Sequence, residues 1–122
     1  MGKAISVFKA SDRKFVRYLG SDSSSSPEGD AWISRLVGTE LSDTMGAGVV
    51  VYERVAVNWN LTFDEVITLL EGELRIYSAG IKYDLLPGDM AWFPANTPLS
   101  YEVKDRAVVS YAVYPIPPRP AT

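Results

Sequence analysis

The chain has 122 residues, 12 Lys plus Arg against 15 Asp plus Glu, a net charge of −3, and neither His nor Cys. Its length fits a single domain whose core needs no disulfide, and the missing residue types exclude thiolate chemistry, the commonest metal ligand and the commonest general base. The acidic balance is wrong for holding phosphate backbones, so nucleic acid is not an expected partner.

The first seventeen residues carry Lys3, Lys9, Arg13, Lys14 and Arg17 between Phe8, Phe15 and Val16, which reads as the solvated side of a strand-like segment. Neither a signal-peptide core nor a run of about 18 apolar residues is present, so the expectation is a cytoplasmic protein with no membrane partner. Next comes SDSSSSPEGD, Ser21 to Asp30, which holds no apolar residue and reads as a surface loop. From residue 30 onward, short β-branched and aromatic runs alternate with Gly, Pro, Asn and Asp, the pattern of an all-β chain. Strands are predicted at 5–8, 14–18, 31–37, 48–57, 65–70, 73–78, 81–86, 90–93, 99–103 and 107–114. Asp64 to Leu70 looks like a helix start, but Val66, Ile67 and Thr68 lose side-chain freedom in a helix and favour a strand. Turns are expected at Glu71-Gly72-Glu73, Ser78-Ala79-Gly80 and Leu86-Pro87-Gly88-Asp89. In the last, Pro at the second position and Gly at the third predict type II. The chain closes on a proline-dense tail, residues 115–122, expected to be extended.

Two of these segments carry a resemblance. Asp64-Glu65-Val66-Ile67-Thr68-Leu69-Leu70-Glu71-Gly72 resembles the first motif of the RmlC-like cupin superfamily, a Glu followed by six residues and a Gly. Leu86-Pro87-Gly88-Asp89 through Trp92-Phe93-Pro94 to Pro98 resembles the second. The resemblance covers about residues 45–115. It implies a single-domain, antiparallel jelly-roll β-barrel enclosing a cavity, with residues 1–44 as preceding strands. Most cupins hold a metal through His-x-His, the Glu and one later His. Carried over residue by residue, those positions are Trp59, Leu61, Glu65 and Leu99, and a one-residue slip would use Asn58 and Asn60 instead. Trp and Leu have no lone pair to offer, amide oxygens are poor transition-metal ligands, and one carboxylate cannot complete a site. The expectation is a barrel without metal and without any other cofactor.

Within the cupins, Met45-Gly46-Ala47-Gly48, Glu53 and Asn58-Trp59-Asn60-Leu61-Thr62-Phe63-Asp64-Glu65 most resemble the ethanolamine-utilisation EutQ family. That resemblance implies a homodimer and a link to acetate kinase activity and bacterial microcompartments. The chain shows no match to the family's additional N-terminal region, so microcompartment targeting is not expected. It also has no GxxxxGK[ST] loop, so a kinase role would need another nucleotide site.

If Glu65 faces inward, strand alternation turns Ile67 and Leu69 inward with it, and Leu99, Tyr101 and Val103 share the inner face on the later strand. Glu53 supplies a second inner carboxylate if Val49, Val51 and Val55 face inside; the opposite parity would bury Arg54. A carboxyl group in an apolar pocket has its pKa raised and suits proton transfer. Tyr101 or Tyr111 would donate a hydrogen bond to a developing oxyanion, Trp59 would stack on a flat substrate, and Leu61, Leu99 and Trp92 would complete the binding wall. The reading is a metal-independent isomerase, dehydratase or lyase acting on a small carbonyl or hydroxy compound. Two alternatives stay open. Glu65 is satisfied by barrel tyrosines and the protein is a small-molecule-binding or assembly component, or it takes the acetate-kinase-like role of the family.

Overall fold

The computed structural model describes residues 4–20 and 26–116, so most of the Ser run and the tail from residue 117 lie outside the described residues. Eight antiparallel strands follow a short 3-10 turn at Ala10–Asp12. They are β1 (Val16–Leu19), β2 (Asp30–Val37), β3 (Gly46–Asn60), β4 (Asp64–Gly72), β5 (Leu74–Ser78), β6 (Ile81–Leu85), β7 (Met90–Phe93) and β8 (Pro98–Tyr114). Their order is β1-β2-β3-β8-β4-β7, with β5 bonded to both β8 and β6. Among the described residues no helix is long and apolar enough to cross a membrane.

β8 organises the rest. It is continuous where two strands, 99–103 and 107–114, are predicted, because the polar run Lys104-Asp105-Arg106 sits in the ladder as an irregularity and does not end it. One edge of β8 pairs with β3 from Gly46↔Val113 to Asn60↔Pro98. The other edge is shared, β4 taking residues 107–114 and β5 residues 100–102. Two long strands therefore run through both halves of the barrel, and inward residues from each half fill one core around Val55, Ile67, Leu69, Leu74 and Val103. The predicted strand at 5–8 is not formed. Ile5 is 91 % exposed and the segment has no strand partner among the described residues, which leaves its backbone groups to water.

Both long strands turn a corner together. On β3 the inner residues are Val50 and Tyr52 before the corner and Val55, Val57 and Trp59 after it, so the inward parity changes. The change occurs at Arg54, whose φ of 51° is left-handed, opposite the irregular stretch of β8. A residue in that conformation rotates the following side chains to the other face, as a β-bulge does. Glu53 precedes the corner and, next to inward Tyr52, alternates to the outside, 3.5 Å from the Arg54 guanidinium. Neither single parity foreseen for β3 holds over its whole length.

The turns obey the expected chemistry. Asp89 N–H donates to Leu86 C=O at 2.9 Å across Gly88 at φ 97°, a type II turn. Ala79 and Gly80 both have positive φ, 52° and 77°, as a two-residue type I′ hairpin requires between β5 and β6. Gly72 does more than turn. At φ 84°, a Cβ added there would collide with the Arg106 carbonyl oxygen, and the nearest part of Ala107 would lie at 3.1 Å. Gly80, at φ 77°, has nothing within 4 Å of an added Cβ. Gly72→Ala is therefore expected to destabilise the fold by more than about 3 kcal/mol, and Gly80→Ala by only about 1–2 kcal/mol for the left-handed backbone. Urea denaturation of the two variants side by side measures the difference.

Candidate active site

A cavity of about 230 Å³ lies inside the barrel half built from β1, β2, β3, β4 and the second half of β8. Its volume is below the ~300–1,000 Å³ of pockets that take drug-sized molecules. Most of its wall is apolar, from Ile33, Val50, Trp59, Leu61, Phe63, Ile67 and Val109, with Ile116 closing one side. The Ile116 N–H donates to Thr44 C=O at 2.8 Å, which pins the segment just after β8 to the loop before β3.

Glu65 enters this space from the start of β4. Its position is fixed on both sides by ladder pairs, Glu65↔Val113 on β8 and Glu65↔Phe93 on β7. Two further hydrogen bonds reinforce that register. The Asp64 carboxylate accepts from Ala95 N–H at 2.8 Å, and Leu61 C=O accepts from Asn96 N–H at 2.6 Å, so the segments before β4 and after β7 are tied together. Alternation then buries Ile67 and Leu69 behind Glu65, as expected. No described residue is hydrogen-bonded to the Glu65 carboxyl group, and burial pushes its pKa up to about 7. It is the one carboxylate lining the cavity among the described residues.

Four phenols share the cavity with it: Tyr18, Tyr52, Tyr101 and Tyr111. Tyr101 is packed edge-on against Tyr52 at 5.6 Å and against Trp59 at 6.3 Å between ring centres. Burial, followed by the neighbouring Tyr52 and the Glu65 charge, holds Tyr101 well above its ordinary pKa, so it stays a neutral hydrogen-bond donor. Tyr52 is raised in the same way, by burial first and then by Tyr18 and Glu65. Tyr111 lies over Gly48, its hydroxyl 2.7 Å from where a Cβ would stand, so the missing side chain at residue 48 makes the room the ring occupies.

The wall nearest solvent is an aromatic ladder. Tyr18 stacks on Trp59 with ring centres 5.9 Å apart and planes at 23°, and the Arg35 guanidinium lies 6.0 Å from the Tyr18 ring. Burial and the Glu65 charge raise the Tyr18 pKa, while Arg35 lowers it. Arg35 is exposed, as is Tyr18, and both line the cavity, which makes this side its mouth.

Of the residues singled out from sequence, Glu65, Tyr101, Trp59, Leu61 and Tyr111 are thus brought together. Three are not. Glu53 stands outside because Val50 and Tyr52 take the inner face of its part of β3. Trp92 is 63 % exposed: its strand neighbour Phe93 pairs with Glu65 and takes the inner face, so alternation sends Trp92 out. Leu99 is buried in the packed core opposite Trp59 and does not line the cavity. Arg35, Tyr18 and Tyr52 were not singled out. Tyr52 shows up once Val50 is placed inside, and Arg35 follows from alternation with Ile33 on β2.

The cupin metal positions can be tested against these groups. Trp59 and Leu61 do face the cavity beside Glu65, but neither carries a donor atom, and no group of three metal-binding side chains converges among the described residues. One carboxylate and neutral phenols do not fit a transition-metal site.

Comparison with known proteins agrees with this geometry. The family model for ethanolamine utilisation protein EutQ matches residues 2–118. The acetate kinase EutQ of Clostridioides difficile strain 630 is 28 % identical over 76 residues, which is 62 % of this chain and 48 % of that protein. The chain spans about half the length of the curated relatives it matches. The solved structure of the Clostridium difficile EutQ protein superposes with a TM-score of 0.69 at 26 % identity, covering 73 % of this chain and 71 % of that one. An RmlC-like cupin from Shewanella frigidimarina superposes with a TM-score of 0.72 at 13 % identity over 95 % of this chain and 96 % of that one, a likeness of fold. With an antiparallel jelly-roll barrel and a family match over nearly its whole length, the chain belongs to the EutQ family of cupins.

Proposed function

We propose that the cavity is a metal-independent acid/base site acting on a small carbonyl or hydroxy compound, in an isomerisation, dehydration or related lyase reaction. The observation that carries this reading is Glu65: a carboxyl group without a hydrogen-bond partner among the described residues, facing a cavity, with its pKa moved to about 7 by burial. At neutral pH such a group takes a proton and returns it with little bias either way, the condition for general acid–base catalysis. Glu65 removes a proton from carbon or hydroxyl, the C–H or O–H electron pair passes into the substrate, and the oxygen that gains charge accepts a hydrogen bond from Tyr101 or Tyr52. Both phenols are held neutral by burial, which supports their part as donors. The donor set supports chemistry without a metal, since the family's ligand positions hold Trp59 and Leu61.

The name of the curated relatives gives a second reading, acetate kinase activity. A cavity of about 230 Å³ with a mainly apolar wall is small for a nucleotide, so phosphoryl transfer would need a nucleotide site elsewhere. Under the acid/base reading, magnesium with ATP gives no rise in melting temperature, whereas a cavity ligand raises it with the logarithm of its concentration above its Kd.

Deuterium uptake from D₂O into a panel of small ketones and 2-hydroxy acids, followed by NMR, tests the chemistry. Glu65→Gln is expected to slow exchange by at least about 100-fold, and Tyr101→Phe by a comparable factor. Exchange that proceeds by base catalysis rises with pH and levels off above about 7, where Glu65 is ionised.

Stability gives an independent check on the same group. Because Glu65 binds its proton more tightly in the folded than in the unfolded chain, its contribution is full below pH 4.5 and is lost as pH rises to about 7. Glu65→Gln, always neutral, escapes that loss. Its stability relative to wild type is expected to be near zero at the acid end and to grow by up to about 3 kcal/mol at about pH 8, read from paired denaturation curves.

A further inference from the structure

The cavity is electrically polarised in a way the acid/base reading does not use. At its mouth stands Arg35, exposed, packed only by its cation against the Tyr18 ring at 6.0 Å, with no ion pair to any described carboxylate. The other exposed arginine of the neighbouring corner, Arg54, is by contrast engaged with Glu53 and Asp30. Behind Arg35 the Tyr18–Trp59 stack forms an aromatic wall, and Tyr52, Tyr101 and Glu65 supply the polar inner end. Charge, aromatic surface and hydrogen-bonding capacity are thus laid out in sequence from mouth to floor.

Size narrows the occupant. With each water taking about 30 Å³, the cavity of about 230 Å³ corresponds to roughly eight water-sized volumes. A ligand of about eight to twelve non-hydrogen atoms fills it, while a two-carbon acid leaves most of the apolar wall without contact. Resting on the acid/base reading of the same site, we propose that the cavity binds a flat, single-ring or conjugated monocarboxylate. Its carboxylate seats on Arg35, its ring packs against the aromatic wall of Tyr18 and Trp59, and its far end reaches toward Tyr101, Tyr52 and Glu65. The guanidinium fork suits a carboxylate, and the aromatic wall suits an unsaturated body.

This arrangement links binding to proton occupancy. The titratable and charged groups facing the ligand are Tyr18 from β1, Arg35 from β2, Tyr52 from β3, Glu65 from β4, and Tyr101 and Tyr111 from β8. Of these, Glu65 is the carboxylate, and its ionised form opposes a second negative charge in the same space.

The probes are benzoate, its uncharged counterpart benzyl alcohol, and acetate, titrated into the intact chain and read by tryptophan fluorescence and calorimetry. Benzoate is expected to bind at least about tenfold more tightly than either of the others. Arg35→Met, which keeps the apolar stem, is expected to remove that preference over benzyl alcohol by weakening benzoate binding at least about tenfold. Benzoate affinity is expected to fall as pH rises through about 7, and Glu65→Gln to flatten that dependence. Equal affinity for benzoate and benzyl alcohol, an unaltered preference in Arg35→Met, or no binding of benzoate overturns the proposal. Benzoate binding with no deuterium exchange in any acid keeps this inference and sinks the acid/base reading. Exchange confined to uncharged ketones does the reverse.

Discussion

The fold depends on β8 being shared. One strand hydrogen-bonds to β3 along its whole length on one edge and to β4 and β5 in succession on the other. Through the β3 and β4 ladders it holds Tyr52, Trp59 and Glu65 in register with its own Tyr101 and Tyr111. A shift of one residue in this ladder would move the inward side chains of β4 to the outer face. The corner at Arg54 and Lys104–Asp105 lets two strands of such length bend around the core without breaking their pairing.

The site then follows from desolvation. A single carboxyl group is set among phenols and aliphatic side chains, and these walls raise its pKa without a second acid beside it. Where the wider cupin fold uses three imidazoles and the carboxylate for a metal, this chain fills the matching wall with Trp59 and Leu61. The indole stacks on Tyr18 and packs edge-on to Tyr101, so the space is reshaped into an aromatic slot.

Much of this is legible in the sequence. The strand runs from residue 30, the type II turn at Leu86–Asp89, the inward set Glu65, Ile67 and Leu69, and the partner set Tyr101 and Val103 all follow from alternation and turn chemistry. What could not be read has physical causes. A left-handed residue within a strand is announced by glycine or asparagine; at Arg54 it is an arginine, so the parity change carries no local signal. Trp92 was readable in principle, because the partner of an inward Glu65 is inward and its neighbour is not, but that step needs the β4–β7 register. Arg35 and Tyr18 come from strands remote in sequence from Glu65, and only the sheet order brings them to one mouth.

The wall that carries Tyr18 has a different footing from the others. β1 is four residues long, lies at the sheet edge, and pairs with β2 through an irregular register. Its neighbouring Arg17 anchors it by an ion pair of 3.0 Å to buried Asp30 and by lying 4.5 Å above the Trp32 ring. Lifting that strand severs one short ladder and leaves the β2-β3-β8-β4 continuum intact, so its opening free energy is far below that of global unfolding. The aperture of the barrel is therefore a soft boundary around a hard interior. The width of that mouth is tied to β1 and its Arg17–Asp30 ion pair, apart from the contacts that hold the core.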